Sequence, residues 1–140
     1  LSPTLLTDHD AERELLGDLI LSAEAREACA NLDERDLDGP GHAAVLRELR
    51  EGQHASTSAL AAAAGVPITR IADCVIASVT PMTAPWRARR LRELASRRRQ
   101  LDIARQHARA VASDSDASEL LHRLRQQIDA ESGRLLRRVA

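Results

Sequence analysis

Apolar residues recur along this chain at three- and four-residue steps, and no stretch alternates with period two over the length of a strand. That pattern predicts helices and no sheet. The first stripe is Ala11, Leu15, Leu16, Leu19 and Ile20, within "TDHDAERELLGDLIL". Thr7 is its expected N-cap, and acids fill the first turn, where the positive end of the helix favours them. "SAEAREACAN", residues 22–31, predicts a short second helix capped by Ser22. "LDERDLDGPG", 32–41, is rich in turn formers, and Pro40 stands where a third helix would begin. Over 41–52, Ala44, Val45, Leu46 and Leu49 form the inward face, and Gly52 is the stop. Residues 56–79 predict two short helices broken at Gly65-Val66-Pro67.

After the linker "TPMTAP", 80–85, the spacing predicts one long helix from about Pro85 to Ala112. Its stripe is Leu91, Leu94, Ala95, Leu101, Ala104, Ala108 and Val111, with Arg98 beside it, where a long aliphatic stem can cover apolar surface. Asp116 followed by Glu119 has the capping-box spacing. A last helix runs from about Ala117 toward the C-terminus, with Leu120, Leu121, Leu124, Ile128 and Leu135 as its stripe. Two long helices joined by a few polar residues predict an antiparallel hairpin. The expected fold is therefore all-α: a small multi-helix globular head over 1–84, then an antiparallel helical hairpin over 85–140.

Composition narrows the chemistry. The 140 residues include no Phe and no Tyr, and Trp86 is the single aromatic. Leu, Ala, Val and Ile must build the core, and alanine lets helices approach closely. All 20 basic residues are Arg. A chain without Lys holds no P-loop, which needs that side chain on the β- and γ-phosphates, and no Schiff-base chemistry. No serine stands in a nucleophile elbow and no glycine-rich loop exists, so the chain is expected to be no enzyme and to carry no cofactor. Cys29 and Cys74 sit in apolar helical segments and read as small buried hydrophobes. The apolar runs are too short for a membrane span, and no leader pattern precedes the first helix, which points to the cytoplasm. The first residue is Leu, which fits a fragment or a processed product.

Charge divides the chain more sharply than hydropathy does. Residues 1–84 carry 6 Arg against 14 acids, and residues 85–140 carry 14 Arg against 7 acids. The excess of the second part lies wholly in 85–112. Such asymmetry favours contact between unlike surfaces, with arginine forks reaching the acidic heads of neighbouring copies. A phosphate stripe is the competing reading, with Arg97 and Arg99 as contacts, but no aromatic platform for bases accompanies it. "TSALAAAAGVPITRIADCVI" has the small-residue and turn-glycine spacing of a helix-turn-helix, with Arg70 as its base- or phosphate-directed group. The acidic head around it would repel DNA. Glu119 and His122 fit the Glu-x-x-His spacing of di-iron bundles, which need two such motifs; one copy reads as a solvated face, and no metal site is expected.

The order of these segments resembles the N-terminal domain of DnaB-type replicative helicases. "DAERELLGDLILSAEA" is similar to that family's opening helix, through Ala11, Glu12, Leu16 and Gly17. "LDERDLDGPGHAAVLRELREG" resembles its next block, an acidic turn, then Pro40 and His42, then a helix ending in Gly. "SVTP" resembles the valine-proline before the family's hairpin. "LRELASRRRQL" and "DASELLHRLRQQI" resemble the two hairpin helices. The likeness spans about residues 8–130. It implies a non-catalytic domain that pairs through its hairpin, forms a collar on a hexameric ring and docks a primase or a helicase loader. DNA is then met only indirectly, and ATP and Mg belong to a separate motor domain. The implied hairpin and oligomer contacts are Trp86, Leu91, Leu94, Arg98, Leu101, Leu121, Leu124 and Ile128. Two other readings compete: the helicase-binding C-terminal domain of a primase, which has a similar head and hairpin, and a helix-turn-helix DNA-binding protein.

Overall fold

The structure, a computed structural model, describes residues 6–113 and 117–139. Seven α-helices and no strand are found among the described residues. Helix α1 (His9–Leu21) starts at Asp8, whose carboxylate accepts the Ala11 amide at 3.0 Å. The cap is thus Asp8 rather than the expected Thr7, since the aspartate oxygen reaches the first-turn amide. Ser22 ends α1 and caps α2 (Ala23–Ala28), accepting the Ala25 amide. A 3-10 turn at Glu34–Asp36 follows, closed by a capping box between Asp33 and Asp36.

Helix α3 (His42–Glu51) begins two residues later than Pro40 suggested. Gly41 precedes it at φ 77°, a left-handed conformation that costs glycine little, so the chain turns there before it coils. Helices α4 (Thr57–Ala64) and α5 (Ile68–Ala77) are separated at Gly65-Val66-Pro67, as their spacing predicts. The linker contains a short 3-10 turn at Pro81–Thr83. Helix α6 (Ala84–Ala112) then runs 29 residues, about 44 Å at 1.5 Å per residue. Helix α7 (Ala117–Val139) returns along it. The direction is shown by the partners: His107 meets Gln127, while Arg99 meets Glu131 and Gln100 meets Ser132. The proposed Asp116 capping box lies outside the described residues.

Helix α1 is the axis of the head, packed on α2, α3, α5 and α6. Its seam with α5 is tight at Gly17: a Cβ there would lie 2.0 Å from the Cys74 carbonyl oxygen. Leu15, Leu16, Leu19, Leu32, Leu46 and Ile71 form the centre of the core. Ala84, Ala88 and Leu91 belong to the same cluster. The first turns of α6 therefore help build the head, because small alanines let that helix settle against α1 and α2. Further along, α6 is partnered by α7, at Arg99, Gln100 and His107 among other positions. No helix among the described residues is long and apolar enough to cross a membrane.

Candidate interaction surfaces

Three buried acids fix the frame on which any surface is displayed. Glu12 is fully buried, and its carboxyl oxygens accept the amides of Asp38 and Gly39 and the Nδ1 of His42. Ala11 beside it is half-buried against the core. The expected motif residues Glu12 and His42 thus form one contact, which fastens α1 to the loop before α3. Asp18 accepts from Ser78 Oγ at 2.5 Å and from Arg87 at 2.8 Å, joining α1 to the end of α5 and the start of α6. Asp36 accepts the Asp33 amide and lies 3.5 Å from Arg99. A buried carboxyl so surrounded holds its neighbours in one arrangement.

These contacts revise the expected use of the basic helix. Arg87 pairs with Glu14 and Asp18, Arg90 approaches Asp8 at 3.6 Å, and Arg99 lies between Asp36 and Glu131. Arg98 donates to the carbonyls of Leu6 and Asp36. The arginines expected to seek acidic heads on other copies therefore answer, in good part, the acids of their own head. The reason is the docking of α6 on α1, which leaves those guanidiniums beside the acids of α1 and of the 3-10 turn. Arg97 is exposed and, like Arg89, Arg105 and Arg109, has no carboxylate partner among the described residues. Arg70 donates to the Pro40 carbonyl at 3.0 Å. Helix α5 buries Ile71 and Cys74, and its outer face mixes Arg70 with Asp73, Ile68 and Ile76. That face lacks the row of polar and basic groups a recognition helix offers to bases and phosphates.

The hairpin residues divide into two groups. Leu91 is 1% exposed and Leu94 is buried; Leu91 closes the core of the head and is not available to another molecule. Leu101, Leu124 and Ile128 are half-buried. Leu120 is buried, while its neighbour Leu121 is 60% exposed, because a two-helix layer can cover only one side of α7. Ala104, Ala108 and Val111 of α6 and Leu120, Leu121 and Leu124 of α7 line an apolar groove of about 310 Å³ near the hairpin tip. Trp86, expected at an interface, is 65% exposed at the other end of α6. Ile76, Val79 and Met82 are exposed with it. Ile76 lies on the outer side of α5, and Val79 and Met82 on the connection to α6, so no single apolar stripe marks the patch in the sequence.

Among the described residues, no cluster of three His, Cys, Asp or Glu side chains is placed to hold a metal ion. Glu119 pairs with Arg123 one turn on. Both cysteines are free and buried. Burial raises the thiol pKa of each, that of Cys74 to about 11.

A head of short helices whose core is completed by one arm of a long hairpin defines the class: an all-α head-and-hairpin domain. Within that class the chain is similar to the crystal structure of the N-terminal domain of DnaB helicase from Mycobacterium tuberculosis. The two agree with a TM-score of 0.76 at 20% sequence identity, over 89% of this chain and 97% of that one. No family model matches the sequence, and no curated protein matches it. The fold is thus shared with a helicase N-terminal domain, across a wide divergence in sequence.

Proposed function

We propose that this chain is the N-terminal collar domain of a replicative DNA helicase. It associates with copies of itself through its hairpin, docks a primase or a helicase loader, and performs no catalysis of its own. The hydrolysis of ATP with Mg belongs to a motor domain outside this chain, in keeping with the absence of lysine. Its place is the cytoplasm, where replication proteins meet DNA, and its own contact with DNA is indirect. The observation that carries the reading is the open apolar groove of the hairpin, with Leu121 exposed beside it, on a fold shared with a DnaB N-terminal domain. An exposed leucine next to an unfilled apolar groove is what a protein interface leaves uncovered in a single copy.

Analytical ultracentrifugation of the isolated chain tests the reading. The expected result is concentration-dependent self-association, weakened at least about tenfold by Leu121→Asp, a loss of about 1.4 kcal/mol. A strict monomer at high concentration would count against the hairpin-pairing part. A P-loop downstream in the same reading frame would favour a helicase parent; a primase core upstream would favour the primase reading.

A further inference from the structure

The head carries 6 arginines within its net negative surface. Arg13, Arg35 and Arg47 pair with carboxylates, those of Asp10, Asp33 and Glu34. Arg26, Arg50 and Arg70 instead bond main-chain carbonyls, with no carboxylate partner among the described residues. Two of these three, Arg26 and Arg50, line a single cleft of about 660 Å³ between the end of α1, the end of α3 and the start of α4.

Both guanidiniums are held in place. Arg26 Nη1 donates to the carbonyls of Leu19 and Ile20, at 2.6 and 3.5 Å, where α1 leaves acceptors unpaired. Arg50 Nη2 donates to the carbonyls of Cys29 and Ala30, at 3.1 and 3.3 Å. Each is anchored by one nitrogen, and its other nitrogens bond nothing among the described residues. Ile20, Leu49 and Leu60 supply an aliphatic lining, with Leu21 58% exposed at the edge. The first turn of α4 sets its partial positive charge against the partial negative ends of α1 and α3 at the same wall. Glu51 is the only carboxylate among the lining residues and is exposed, so the arginine pair stays in excess.

We propose that this cleft is a docking site for a short acidic and aliphatic segment of a partner protein, separate from the hairpin. A carboxylate of that segment accepts from Arg26 and Arg50, and an aliphatic side chain covers Leu21 and Leu49. Charge complementarity selects the occupant: within an acidic head, two guanidiniums without a carboxylate partner share this one cleft. Guanidiniums already pinned by carbonyls lose little freedom on accepting a carboxylate. The apolar lining asks the occupant for a hydrocarbon side chain as well as a charge.

The test is an NMR titration of the full chain with a capped Asp-Leu-Leu-Asp-Leu-Leu peptide, beside the same peptide with Asn for Asp. The expected result is amide shifts at Leu21, Gly52, His54 and Thr57 at millimolar peptide, at least about tenfold weaker with the Asn peptide. Arg50→Gln and Leu21→Ser should each weaken binding by a similar factor; both sites are exposed, and an unchanged dispersed spectrum verifies the fold. Neither substitution touches the hairpin, so self-association stays as it was, and the outcome is independent of hairpin pairing. Shifts absent from the cleft, equal binding of the two peptides, binding that survives both substitutions, or equal shifts with a single-stranded oligonucleotide would each overturn the proposal.

Discussion

Glu12 and His42 meet inside the head, Oε1 to Nδ1 at 2.9 Å, although 30 residues separate them. The same carboxyl group also takes the amides of Asp38 and Gly39. Removing it leaves three donors without an acceptor in a buried place. Glu12→Ala is therefore expected to cost about 3 kcal/mol or more. Glu12→Gln keeps the shape but turns an amide N–H toward backbone donors, and should fall between. Urea unfolding midpoints measure both. A loss under about 1 kcal/mol for the alanine variant would mean that the contact does not fasten α1 to the loop.

Gly17 and Gly52 make a matched pair of glycine tests. A Cβ at Gly17 would lie 2.0 Å from the Cys74 carbonyl oxygen and 2.8 Å from its carbon, which are backbone atoms that cannot swing aside. Gly17→Ala must part α1 from α5, at a cost of about 2–3 kcal/mol. Gly52 has extended backbone and nothing within 4 Å of the added atom. Gly52→Ala should be neutral or stabilise by up to about 1 kcal/mol, through the unfolded chain. Thermal melts of the two variants would show the contrast; equal effects would refute the close seam.

The helical elements were legible because their causes are local. Ser22, Gly65 and the three- and four-residue apolar spacing act within a turn or two, and the helices stand where those features put them. The partnership of the elements was less legible. Leu91 shares a stripe with Leu101, and nothing in periodicity tells that Leu91 closes the core of the head while Leu101 stays half-buried further along the same helix. Asp18 and Arg87 lie 69 residues apart, so their pairing is a product of the packing. Among the surfaces, Leu121 was named from its stripe, whereas the Arg26–Arg50 cleft needed three helix ends brought together.

The absence of Lys and Tyr gives the protein a clean alkaline window. Arginine stays charged throughout it, so the thiols are the side chains that titrate there. Burial raises the Cys74 pKa from 9.0 to about 11 and pushes Cys29 upward as well. In that range the folded state holds protons that the unfolded chain has released, so stability falls as pH rises. The thiol contribution is whole below about pH 9 and is lost toward about pH 11. Urea unfolding across this window should show the fall, and Cys74→Ala should flatten it while lowering stability overall. A slope unchanged by Cys74→Ala would exclude this thiol as its source.

Arg87 and Arg89 stand in the same basic run and should behave oppositely. Arg87 touches Glu14 at 2.9 Å and the fully buried Asp18 at 2.8 Å. With Arg87→Ala, Asp18 keeps only the Ser78 hydroxyl among its side-chain partners, and a buried carboxyl stripped of its cation costs about 3–5 kcal/mol. Arg89 is exposed and has no carboxylate partner among the described residues, so Arg89→Ala should change stability by no more than about 0.5 kcal/mol. If the run were a phosphate stripe, both variants would lower DNA affinity and its salt slope alike. If α6 is first a beam of the head, only Arg87→Ala unfolds early. Urea midpoints of the two variants, set beside salt-dependent DNA binding, separate the cases. Two midpoints that coincide would remove the ground for giving the arginines of α6 different roles.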